Sequence, residues 1–267
     1  MLLGKNFAGG LVVIDSNFSI NQTAINNNIR NLQGGCINVI SVQSILQVST
    51  TKFIDCQSQQ GAIIYAESLG TVNINQSKFL LTQRYGSGGL ICMNLVSNTT
   101  TIYNSDFLNG VSDKGGAIFQ KGGHMTLENV TVYHCNATMQ GGGIYLDGYR
   151  TRDLWLKNCT FFDNLAFSQG GAISAEIFNV QVTNCTFEMN RVVGGRGGAV
   201  SFSVGGNEVE ISLSEFRNNQ VEGASNTASA GGAISVYGTN QLSGPGVTIE
   251  SSNFSNNKGY LGGSISI

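Results

Sequence analysis

A Gly-Gly-small-Ile/Val element recurs along the chain, and a repeat of near-fixed period restricts the possible folds more than any other sequence feature. It reads GGCI at 34–37, QGAI at 60–63, GGLI at 88–91, GGAI at 115–118, GGGI at 141–144, GGAI at 170–173, GGAV at 197–200, GGAI at 231–234 and GGSI at 262–265. The intervals are 26, 28, 27, 26, 29, 27, 34 and 31 residues. Between these copies lies a second element, two mostly apolar residues in alternation followed five positions later by Phe. The sets are Leu46/Val48 with Phe53, Val72/Ile74 with Phe79, Thr100/Ile102 with Phe107 and Met125/Leu127 with Val132. Then come Leu154/Leu156 with Phe161, Val180/Val182 with Phe187, Val209/Ile211 with Phe216 and Val247/Ile249 with Phe254. Leu11/Val13 with Phe18 reads as a ninth copy.

Each period thus holds three short runs of period-2 alternation separated by Gly, Asn and Ser, the pattern of three strands. Ile37, Ile63, Ile91, Ile118, Ile144, Ile173, Val200, Ile234 and Ile265 share an inward phase, and where a Ser or Asn intervenes it is expected to face water. No helix fits between strands so closely spaced. The economical solution is an all-β single-stranded parallel β-helix: about nine coils of ~28 residues, three strands per coil, stacked about 4.8 Å apart in one domain over 1–267. The single Pro follows, because each strand must donate hydrogen bonds to its neighbours. Asn21, Asn164, Asn190, Asn219 and Asn257, three residues after their Phe, are expected to form an amide ladder with Cys56 and Cys135 at the same place.

The pairing of GGAI-type and FxxN-type elements, here FFDN at 161–164, FEMN at 187–190, FRNN at 216–219 and FSNN at 254–257, resembles the repeat of chlamydial polymorphic outer-membrane proteins. Related repeats occur in ciliate and other protist surface proteins. The resemblance covers essentially the whole chain and implies a right-handed, pectin-lyase-like β-helix in a secreted or cell-surface setting. It implies no activity, because that fold carries lyases, hydrolases, adhesins and inert stalks.

With 14 Lys plus Arg against 16 Asp plus Glu, the chain lacks the basic excess of a nucleic-acid binder. No apolar run approaches the roughly 18 residues of a membrane-spanning helix. Asn17, Asn21, Asn75, Asn98, Asn129, Asn136, Asn158, Asn184 and Asn253 stand in N-x-S/T sequons. All but Asn21, placed on the ladder, are candidate N-glycosylation sites. Hydrated glycans would supply the solubility that 11% charged residues do not. Cys159 and Cys185 share an offset on adjacent coils and form either a disulfide or a stack of buried thiols. Cys56 and Cys135 stand three coils apart, too far to pair.

The first 30 residues lack a signal-peptide pattern, so a secreted form of this chain is a processed or partial one. Its ends carry no capping helix, which leaves two expectations: a segment of a longer solenoid, or end-to-end stacking of copies into a filament. Enzymes on this fold need clustered carboxylates or a Ca²⁺ nest, whereas the seven Asp here are scattered. The densest polar cluster, Asp147-Gly-Tyr-Arg-Thr-Arg-Asp153, is followed by an outward-phased Trp155. There Tyr149 or Trp155 could stack on a sugar, with Arg150 or Arg152 binding acid groups. The reading is a non-enzymatic extracellular structural or adhesive β-helix glycoprotein that needs no cofactor. A polysaccharide lyase or glycoside hydrolase is the alternative.

Overall fold

The computed structural model describes residues 11–14, 17–26, 35–40, 44–56, 58, 61–81, 89–177, 179–204, 208–223, 231–238, 246–260 and 262–267, with the side chains of 11–14, 26 and 149–152 outside the described set. These residues form a right-handed parallel β-helix without a helical segment. First and second strands of successive turns, such as Ile173–Ile177 and Asn179–Thr183, join one 17-stranded sheet. Third strands, such as Thr186–Glu188, form a nine-stranded sheet.

Register carries the fold. The first inward ladder runs Ile37, Ile64, Ile91, Ile118, Ile144, Ile173, Val200, Ile234, Ile265, each paired in parallel with the next, and the backbone of Leu11 pairs in register with Ile37. Phe residues fill the third strand, and Phe161, Phe187, Phe216 and Phe254 stack at 4.7–4.9 Å between centroids. Burying such a ring contributes roughly 1.5–3 kcal/mol. A fourth strand, absent from the three-strand expectation, forms a five-stranded sheet from segments such as Leu165–Ala166 and Arg191–Val192. Its inward ladder, Ser112, Ala137, Ala166, Val192, Val221, is too small and too short to show a periodicity in sequence.

Three expectations shift. Leu11 and Val13 pair with Ile37 and Val39, and Phe18 pairs with Leu46, so this copy starts one strand earlier than the alternation suggested; Ile25 meets Phe53. Asn21 accordingly pairs with Ser49 in the open and does not belong to the buried ladder. Two turns on, Ile64, not Ile63, holds the ladder, because both are apolar and only Gly61 (φ 58°) fixes the phase.

The corners explain the glycines. At Gly170 φ is +59°, and a Cβ would lie 2.0 Å from the Ile173 carbonyl oxygen. Only glycine fits there. The serines after the ladder residue also differ from expectation: Ser174, Ser201 and Ser235 are buried, although they point outward. The Tyr237 hydroxyl reaches back two turns to donate to Gln169 Oε1 at 3.2 Å, spanning the strip on which Ser201 sits.

Candidate functional site

Two asparagine columns run up the solenoid, and they serve different ends. The inner one is the expected ladder. Asn164, Asn190 and Asn219 are buried, and each Nδ2 donates to the next Oδ1 at 3.0 Å, ending on Asn257. Each amide also donates to a carbonyl one turn back in the third strand, Asn190 to Phe161 at 3.0 Å. Their backbone is not left-handed; the residue before each is, at Asp163, Met189, Asn218 and Asn256.

The outer column lies between second and third strands. Asn104, Asn129, Asn158 and Asn184 all have φ near +50° and their side chains lie in water. Asn184 Nδ2 donates to Asn158, Asn158 to Asn129, Asn129 to Asn104 and Asn104 to Asn75, at 2.8–3.1 Å. Three sequon asparagines therefore sit at one offset on consecutive turns. Asn17, Asn98 and Asn253 are exposed, and Asn75 and Asn136 are half-buried.

Trp155 stands on the outward face of the strand Ile144–Lys157, half exposed. Tyr149, Arg150 and Arg152 share that strand, but their side chains lie outside the described residues. Asp153 accepts from Asn179 Nδ2 at 2.7 Å and pairs with His124 at 2.8 Å, while Lys157 pairs with Glu128 at 3.0 Å. A second polar strip lies on the first strands. Tyr145 Oη lies 3.4 Å from Glu176 Oε1 and its ring sits under Lys114 Nζ at 4.6 Å. Burial, with Glu176 adding to it, pushes the Tyr145 phenol well above its ordinary range. Ser201 Oγ is buried there without a partner. Among the described residues no three His, Cys, Asp or Glu side chains gather as a metal site would require, and no helix is long and apolar enough to cross a membrane.

A family model described as a right-handed β-helix region matches residues 89–265, about two-thirds of the chain. The chain belongs to this right-handed β-helix family. No curated protein and no solved structure matches it. The family is defined by its fold, so membership leaves the chemistry to this β-helix's own side chains.

The cysteines of the β-helix realise one of the two alternatives at Cys159 and Cys185 and add a bridge the sequence reading did not name. Cys159 and Cys185 are stacked thiols, not a disulfide. They occupy a column that holds hydroxyls at Thr51, Ser77, Ser105, Ser214 and Ser252, and Val130 at one turn. Ser77, Ser105, Cys185, Ser214 and Ser252 each accept the backbone N–H of the turn below and, like Cys159, donate to the carbonyl two residues back. The thiols substitute for serines there. The hydrogen bond that Cys185 donates to the Cys159 sulfur, together with burial, holds Cys185 strongly as a thiol. Cys135 takes the place of an inner-ladder asparagine, its Sγ accepting from Gly110 N at 3.4 Å, and burial pushes its thiol up to about 12. Cys56, in that same column, is bonded to Cys36 with Cα atoms 5.5 Å apart. The sequence held one clue to this bridge: two cysteines within one turn, each on a corner column occupied by another residue type in most turns.

Proposed function

We propose that the chain is a non-enzymatic extracellular or cell-surface β-helix glycoprotein with a structural or adhesive role. The observation that carries this reading is where the sequons fall. The buried asparagines Asn38, Asn164, Asn190 and Asn219 carry none, whereas Asn17, Asn75, Asn98, Asn129, Asn136, Asn158, Asn184 and Asn253 all reach solvent. A bland excess of Asn and Thr would strike the buried columns as readily as the exposed ones. Asn21, in the open beside Ser49, joins the acceptors.

Self-stacking is part of the proposal. Val247, Ile249, Phe254 and Ile265 are only partly buried, while their partners Val209, Ile211, Phe216 and Ile234 are fully so. That apolar end face suits a further turn, from the same polypeptide or from a second copy. The test is intact mass before and after enzymatic removal of N-glycans, on chain secreted from eukaryotic cells. A fall of several glycan masses supports the reading, and an unmodified chain overturns it.

The lyase or hydrolase reading draws on the Tyr145–Glu176 strip, where a phenol, a carboxylate and an unpartnered serine lie together. Cleavage of a uronic-acid polymer, abolished by Glu176→Gln, would favour it over the adhesive reading.

A further inference from the structure

We propose that the outer face around Trp155 binds an extended, uncharged polysaccharide chain. This rests on the adhesive reading and names its ligand class. The repeat itself does not call for Trp155. The same outward column holds Asn73, Thr101, Thr126, Gln181, Glu210 and Thr248, all polar and in register with it. Leaving half an indole in water where every neighbouring turn places a polar side chain gains the fold nothing. A second departure coincides with it. The strand that carries Trp155, Ile144–Lys157, is the longest among the described residues, and its register shifts twice against the turn below. Local breaks in an otherwise regular pattern mark function more often than structure.

The face has the chemistry to hold a sugar. An exposed indole offers a flat electron-rich surface to the axial C–H groups of a pyranose ring. Tyr103, 37% exposed, projects from the same face two turns away and two residues along, about 12 Å from Trp155 by sheet geometry. Two aromatic platforms at that separation suit an extended chain rather than one monosaccharide. Asp153, Asn179, Lys157 and Gln181 surround Trp155, and their pairwise hydrogen bonds leave lone pairs and ammonium protons for ring hydroxyls. Charge points to the class: among the described side chains beside the indole, the carboxylates of Asp153, Glu128 and Glu210 face the one ammonium of Lys157, which Glu128 already pairs. A uronate would find no free counter-charge among them.

Trp155 is the sole tryptophan of the chain, so its emission reports this face alone. The full chain is titrated with neutral hexamers of the gluco-, chito-, manno- and xylo-series and with a galacturonate hexamer, by tryptophan emission and by calorimetry. The expected result is saturable binding of at least one neutral hexamer, with a Kd between about 1 μM and 1 mM. Trp155→Ala weakens it about tenfold or more, as removal of a central aromatic does. Trp155→Phe restores part of the loss, and Tyr103→Ala weakens the hexamer more than the dimer. An unchanged melting temperature confirms that Trp155→Ala is folded. Absence of heat and emission change with every neutral hexamer overturns the proposal. So does preference for galacturonate, or tight binding by a folded Trp155→Ala. The readout is independent of glycan mass, so its failure leaves the glycoprotein reading standing, and the mass measurement can fail without it.

Discussion

At the scale of single residues, two columns of left-handed backbone set the path of the chain. Between second and third strands the left-handed position is taken by Gln22, Thr50, Gln76, four asparagines, Leu213 and Ser251. Asparagine tolerates that conformation and leucine does not. Leu213 has φ 52° and is 60% exposed, so it adds little packing to offset the strain. Leu213→Asn is therefore expected to stabilise the protein by about 1 kcal/mol, read as a rise in thermal midpoint. It would also extend the exposed amide ladder by one rung beyond Asn184. The inner ladder responds in the opposite sense. Asn190 Oδ1 accepts two hydrogen bonds from Asn164, and its Nδ2 donates to Phe161 O and Asn219 Oδ1. Asn190→Ala strands several buried polar groups and is expected to cost about 2–4 kcal/mol in chemical denaturation.

At the scale of elements, the hydroxyl–thiol column and the disulfide separate two kinds of cysteine. Cys185→Ser places a hydroxyl where Ser77, Ser105 and Ser214 already stand, and the expected change is within about 0.5–1 kcal/mol. Cys36→Ser removes a bridge closing a 20-residue separation and is expected to cost about 3 kcal/mol. Denaturation of the two variants side by side checks both, and equal losses would contradict the assignment. These elements also show what was legible in the sequence. The Ile and Phe ladders could be read because large apolar residues recur at near-fixed offsets, and Trp155 could be read as outward from its phase between Leu154 and Leu156. The fourth strand could not, because two-residue pairings with small inward side chains leave no period. Register failed where two apolar residues adjoin at Ile63–Ile64, and where Leu11, Val13 and Phe18 repeat the spacing of a different pair of strands. The Cys36–Cys56 bridge was not read because offset along the chain does not distinguish a thiol that replaces another corner residue from one facing a second corner.

At the scale of the whole molecule, stacked ladders fix the inside of the solenoid, and the proposed function draws on its outer face. Self-stacking, as proposed above, through the apolar face at Val247, Ile249 and Phe254 would give association that grows with concentration. Phe254→Asp, which places a charge on that face, is expected to shift sedimentation towards monomer; a chain monomeric at all concentrations contradicts self-stacking. Glycan placement bears on the same outer surface. Turns stack about 4.8 Å apart, too close for glycans on every rung of the Asn129–Asn158–Asn184 column. The most direct test is site-resolved glycopeptide mass spectrometry on the chain secreted from eukaryotic cells behind a leader peptide. The account predicts occupied Asn17, Asn98 and Asn253, with at most alternate rungs of the column modified; unmodified asparagines at all of these positions would contradict it.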